Sequence, residues 1–178
     1  MTSDHNLASV SVLQRDYPAA GLDATGWFKL SPHDTNVWGA YSVAVNGEAQ
    51  ANYFLGFGSS DLTVEWIEFG NLALKVLDGF AYAVDGSGNV TCLPCNGLGY
   101  ESIYVAEKYL VFAGSWEILA ISRDGTIRRE PEAAYDRLEA LGVGQDQIFV
   151  RGVRNPPDEE DWSISVIDLP EWSPLIGR

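Results

Sequence analysis

Hydrophobic and polar positions alternate along most of this chain with a period of two, the spacing of a strand that buries one face. The clearest case is Trp116-Glu-Ile-Leu-Ala-Ile-Ser-Arg-Asp-Gly-Thr-Ile-Arg-Arg129, where an apolar run ends at Asp124-Gly125 and a second strand starts at Thr126. That stretch predicts one β-hairpin. The cadence recurs. Residues 37–45 alternate and end at Asn46-Gly47, a turn whose two positions both need φ > 0, and residues 51–57 form the partner strand. Residues 62–69 close at Gly70-Asn71 and are answered by 72–77. Residues 80–84 lead through Asp85-Gly-Ser-Gly-Asn89 to 90–93, and 102–106 and 109–113 flank a tight turn at Glu107-Lys108. Strands are also expected at 10–13, 26–30, 147–153 and 162–169, and residues 1–8 are expected to fray.

One segment departs from this period. Pro131 suits a first helical turn, Ala133, Ala134, Tyr135, Leu138 and Leu141 follow at near-helical spacing, and Gly142 supplies a stop. A short helix near 131–141 is therefore predicted.

The hairpins also repeat. Ala83-Val84 through Val90 aligns with Ala120-Ile121 through Ile127 at an offset of 37. Tyr109-Leu-Val-Phe-Ala-Gly114 aligns with Gln147-Ile-Phe-Val-Arg-Gly152 at 38, and Trp116-Glu-Ile-Leu-Ala-Ile121 with Trp162-Ser-Ile-Ser-Val-Ile167 at 46. Periods of about 40 are those of propeller blades. The expected fold is a single all-β domain over 1–178, made of serial antiparallel β-hairpins. It is propeller-like or a twisted sandwich, with an open array or a barrel as equal alternatives.

Between residues 109 and 169 the succession Ile118-Leu-Ala-Ile-Ser-Arg-Asp-Gly125, Gln147-Ile-Phe-Val-Arg-Gly152 and Trp162-Ser-Ile-Ser-Val-Ile-Asp-Leu169 resembles the C-terminal half of small uncharacterised bacterial β-rich proteins. The group carries a glycine-bearing turn after the final Asp-Leu, where this chain has Pro170-Glu-Trp172. The resemblance implies a hairpin-repeat fold and brings no known activity. In size and charge the chain is similar to the immunity proteins that neutralise secreted bacterial toxins, which implies a protein partner.

Charge narrows the partners. The chain has 25 acids against 11 bases, a formal charge of -14 over 178 residues. Phosphate-binding surfaces need clustered Lys and Arg, so nucleic acid and anionic membranes are disfavoured, whereas a basic protein would be steered towards this chain. The acidity is uneven: between Lys29 and Lys108 the only base is Lys75, against Asp34, Glu48, Asp61, Glu65, Glu68, Asp78, Asp85, Glu101 and Glu107. The start, Met-Thr-Ser-Asp-His-Asn, has neither a basic nor a long apolar region, and no run reaches the length of a membrane helix. A cytoplasmic location is expected.

Candidate chemistry is sparse. Cys92-Leu-Pro-Cys95 has the spacing of a redox pair or half a zinc site. The following Asn96-Gly-Leu-Gly99 is not helical, and the only histidines are His5 and His33, so an incidental loop is favoured and no cofactor or metal is expected. A Ser-His-Asp site would have to use His33, for which no Gly-x-Ser-x-Gly elbow exists. Glu65 and Glu68 flank Trp66 like an acidic-aromatic sugar site, but strict alternation sends the two carboxylates to opposite faces, which is wrong for an acid/base pair. Asp158-Glu-Glu-Asp161 lacks the glycine and ligand spacing of a calcium loop and precedes Trp162, an anchor for a Lys- or Arg-rich partner or, alternatively, a core side chain.

The expected function is therefore non-enzymatic binding of a basic protein, an acidic inhibitor or immunity-type module. Asp158, Glu159, Glu160, Asp161 and Trp162 form the first candidate patch, and Glu65, Trp66 and Glu68 the second. A carbohydrate- or small-ligand-binding protein or enzyme using the six tryptophans, and a structural subunit of an assembly, are the alternatives.

Overall fold

The structure is a computed structural model, and it describes residues 10–16, 26–96, 99–130, 136–144, 146–153 and 162–168. All regular structure among them is β. The strands make four sheets that follow one another along the chain. They belong to two compact units: one holds the strands up to residue 58 and from 63 to 94, the other residues 59–62 and those from 95 onward.

In the first unit, β1 (Val10–Arg15), β2 (Trp27–Leu30), β3 (Trp38–Val45) and β4 (Glu48–Gly56) form a sheet in the order β1-β3-β4-β2. Every pairing in it is antiparallel except β2 with β4. The second sheet is an up-and-down meander of β5 (Val64–Phe69), β6 (Leu72–Leu77), β7 (Phe80–Val84) and β8 (Val90–Cys92). One face of each sheet meets the other. The Tyr82 hydroxyl on β7 donates to the Gly56 carbonyl on β4 at 2.7 Å, with the Leu30 carbonyl at 3.2 Å, and Tyr41, Val43, Tyr53 and Leu55 are buried on the first sheet's side.

The second unit begins with a meander of β9 (Tyr100–Val105), β10 (Tyr109–Gly114), β11 (Ile118–Ser122) and β12 (Ile127–Glu130). The fourth sheet has β13 (Asp136–Val143), β14 (Gln147–Val153) and β15 (Trp162–Asp168). Val111, Ala113, Ile118 and Ala120 of the third sheet share a buried cluster with Leu138, Ala140, Ile148 and Val150 of the fourth. Each of the four sheets has two ends in its strand order, so none is a closed barrel.

The helix expected near 131–141 is corrected over its described part. Residues 131–135 lie outside the described residues, and 136–143 are strand β13, paired with β14 and bulged between Ala140 and Gly142. Leu138 and Leu141, three apart, fit one helical face, whereas Leu138 and Ala140, two apart, fit one strand face, and Ala140 is buried while Leu141 is exposed. Burial against Ile148 and Val150 decides between the two periods.

The turns explain the repeat. Asn46 (φ 51) and Gly47 (φ 82) are both left-handed, as the β3–β4 turn requires. The aligned hairpins at 85–89 and 122–126 share two backbone hydrogen bonds. The Asp85 N–H donates to the Asn89 carbonyl (3.1 Å) and the Gly88 N–H to the Asp85 carbonyl (2.9 Å). Ser122, Thr126 and Gly125 repeat both bonds at 2.9 Å, and Gly88 and Gly125 have φ 83 and 85. The three offsets each join strands of equal rank in successive sheets: β7 with β11, β10 with β14, β11 with β15. Lys108 and Asp146, in the corresponding turns before β10 and β14, pair at 2.9 Å.

Candidate functional site

Lys75 lies in the middle of β6, an apolar strand whose residues 74 to 77 are all buried; Lys75 itself is 3% exposed. A lysine in such a run must find its counter-charge locally, because an unpaired buried ammonium is costly. The register shows how it does. Val64 pairs with Val76 and Ile67 with Leu74, so Glu65 and Trp66 together oppose the single residue Lys75. This is a β-bulge on an edge strand, and it turns two consecutive side chains towards one partner. The Lys75 Nζ donates to Glu65 Oε2 at 2.8 Å, lies 5.4 Å from the centre of the Trp66 ring and 5.3 Å from that of Tyr41 on β3. A carboxylate and two ring faces thus offset the loss of water around the ammonium.

The bulge also overturns strict alternation. Beyond it the phase of β5 shifts by one, and Glu68 pairs with Ala73, which shares a face with Lys75. Glu65, Trp66 and Glu68 are therefore on one face, where the sequence pattern sends the two carboxylates apart. The ion pair is lopsided: the Glu65 side chain is 82% exposed against 4% for Lys75. Glu68 is exposed and Trp66 half-buried, so two carboxylates flank an indole at the solvent edge.

Neighbouring residues lock this corner. Asp78, left-handed at φ 46 in the β6–β7 turn, accepts from the Thr63 hydroxyl at 2.7 Å and donates its N–H to the same hydroxyl oxygen at 3.2 Å. Burial first, then the charges of Glu65 and Asp78, push the Tyr41 phenol up to about 12. Tyr41 stays neutral through the physiological range and serves as a ring and not as an acid. Its ring lies across Gly39, where an added Cβ would come within 2.6 Å of Tyr41 Cε2.

The other candidates resolve unevenly. Asp158, Glu159, Glu160 and Asp161 lie outside the described residues; of Trp162 only the backbone is described, paired with Val153 at the start of β15. Cys92 and Cys95 are not joined in a disulfide, and burial pushes Cys92 up to about 12 against the opposing pull of the Tyr82 hydroxyl, so it is not a thiolate near neutrality. Among the described residues no cluster of His, Cys, Asp and Glu is arranged to hold a metal. Exposed His33 has its ring 6.1 Å from that of Phe80. Among the described residues, no helix is long and apolar enough to cross a membrane.

Lys75 and Tyr41 are the members of the site that sequence reasoning did not select. The available signal was Lys75 itself, the one base in a long acidic interval and the one charge in an apolar strand. The bulge that gathers the others has no sequence mark of its own. No protein-family model matches this chain, and no curated protein is similar to it in sequence.

Proposed function

We propose that this protein is a non-enzymatic binding module that covers a basic surface of another protein, as an inhibitor or immunity-type partner does. Glu65, Trp66 and Glu68 form the contact described here. The observation that carries this reading is the 82% exposure of the Glu65 side chain beside half-buried Trp66 and exposed Glu68 on one face. An incoming guanidinium or ammonium meets two carboxylates and an indole, the combination that charge-assisted hydrogen bonding and cation–π attraction favour. The formal charge of -14 adds long-range steering. Asp158, Glu159, Glu160, Asp161 and Trp162 are proposed as a second acidic contact from their sequence alone.

The test is capture from a lysate of the source cells on the immobilised full chain, with captured proteins identified by mass. One basic protein should be retained by the parent and lost with Glu65→Gln/Glu68→Gln. A charge-matched control, Glu48→Gln/Glu107→Gln, should retain it. Equal loss from both double variants would reduce the contact to bulk charge, and retention by both would remove this face from the interface.

A further inference from the structure

The face of the first sheet opposite Tyr41 carries a different chemistry. Pairing places Leu13, Ser42, Asn52 and Trp27 in one row across β1, β3, β4 and β2, and Arg15, Ala40, Phe54 and Lys29 in the next. The two rows are two residues apart on every strand, so all eight share a face, and Trp38 follows on β3. None of these positions is acidic, in a chain with 25 acids.

The face is assembled and not merely apolar. The Trp27 ring stacks on Phe54 at 4.7 Å and 24°, with Phe54 buried and Trp27 half-buried. Lys29 Nζ sits 5.2 Å from the centre of the Trp38 ring. Arg15 Nε donates to the Ser42 hydroxyl at 3.0 Å, and that hydroxyl donates to Asn52 Oδ1 at 2.6 Å. This polarity fixes the Asn52 amide with its nitrogen turned away from the bond, so its two N–H groups remain unused by the row. Guanidinium, amide N–H and ammonium are all donors. The backbones of Arg15 and Lys29 lie three strand spacings apart, about 14 Å, and their heads reach towards β3, over Ser42 and Trp38.

We propose that this face binds an acidic oligosaccharide, a chain of uronate-bearing pyranose rings. The flat apolar side of a pyranose stacks on Trp27, and its carboxylates and ring oxygens accept from Arg15, Asn52 and Lys29. A neutral sugar can also accept from these donors, but only a uronate brings the negative charge that complements Arg15 and Lys29. The overall charge opposes any anion at long range, but at about 0.1 M salt that field decays within about 10 Å while the two local cations remain in contact. Single-stranded nucleic acid carries one charge per unit as a uronate chain does, and aromatic and basic side chains suit it too, so it is the competitor in the test.

Titration calorimetry on the full chain with tetragalacturonate, cellotetraose and an oligothymidylate decides the matter. Tetragalacturonate should bind saturably at one site, at least about tenfold more tightly than cellotetraose or the oligothymidylate, since each good charge-assisted contact is worth about that factor. Trp27→Ala and Arg15→Gln should each weaken it by about tenfold and Lys29→Gln by about threefold, on the same scale. Glu65→Gln/Glu68→Gln should leave it unchanged, which separates this site from the acidic one. Arg15 and Lys29 are exposed, so their variants report even where loss of Trp27 unsettles the sheet. No binding of tetragalacturonate, equal or tighter binding of either competitor, or full affinity in both Arg15→Gln and Lys29→Gln would overturn the proposal.

Discussion

In the first unit a lysine is inside and its carboxylate partner stands in water; in the second a carboxylate is inside and its arginine partner reaches the edge. Glu117 is 1% exposed, just ahead of β11, and Arg129 on β12 has a side chain 22% exposed. Both Glu117 oxygens are used. Oε2 accepts from Arg129 Nε at 2.9 Å and Nη2 at 2.7 Å, while Oε1 accepts from the Asn96 N–H. Arg129 Nη2 also donates to Asn96 Oδ1 at 2.5 Å, which closes the network. Such a network holds the segment at Asn96 against the third sheet and offers nothing to a ligand. Around Lys75 the buried partner is satisfied and the exposed partner is not enclosed. Which end of an ion pair faces water therefore separates a structural pair from a candidate contact.

The largest expected effect is at the closed pair. Glu117→Ala should lower unfolding free energy by about 3 kcal/mol, because Arg129 and the Asn96 N–H lose their acceptor together. Urea denaturation measures it, and a loss below about 1 kcal/mol would mean that water replaces the carboxylate freely. Next comes Gly39→Ala, whose Cβ would strike the Tyr41 ring; the expected cost is about 1–3 kcal/mol, the range of core overpacking, with a near-ultraviolet dichroism change as the ring shifts. Lys75→Met should fall within about 1 kcal/mol of the parent or exceed it, since a well-packed apolar chain avoids the desolvation of the ammonium. A loss as large as that of Glu117→Ala would erase the contrast between the two pairs.

A smaller effect is read in alkali. The phenol of Tyr41 is raised from 10.0 to about 12 and the thiol of Cys92 from 9.0 to about 12, so both groups hold their protons more tightly folded than unfolded. Their contribution to stability is complete below the unfolded values and is lost as pH climbs through 9 and 10 towards 12. Tyr41→Phe should flatten part of that decline; an unchanged alkaline profile would show that the phenol gains no protection on folding.

Much of the fold is written in local turn chemistry, which is why it was legible. Asn46-Gly47 and Asp85-Gly-Ser-Gly-Asn89 have few backbone solutions, and each solution dictates a hairpin. The segment after Pro131 misled because Leu138 suits a helical face with Leu141 and a strand face with Ala140, and only burial against β14 chooses. Of the site, residue type was readable and geometry was not. Glu65, Trp66 and Glu68 stood out by composition, but their common face depends on a bulge opposite Lys75, and a bulge without glycine leaves no trace in the sequence. Trp116 was likewise assigned to a strand; the Gly114 N–H bonds the Glu117 carbonyl at 2.9 Å, so Ser115-Trp116 is the turn that delivers Glu117 to Arg129.

The central claim is that the exposed carboxylates of Glu65 and Glu68 serve recognition, with Glu65 also balancing the charge of Lys75. It is tested most directly by measuring, on Glu65→Gln/Glu68→Gln and its parent, the affinity for the captured basic protein together with the urea midpoint. Glu65→Gln removes the charge that balances buried Lys75, so the double variant should lose about 1–3 kcal/mol in stability, while affinity falls by at least about tenfold. A marked loss of stability with affinity intact would contradict the account and make the exposed carboxylate, like the buried one, a part of the scaffold.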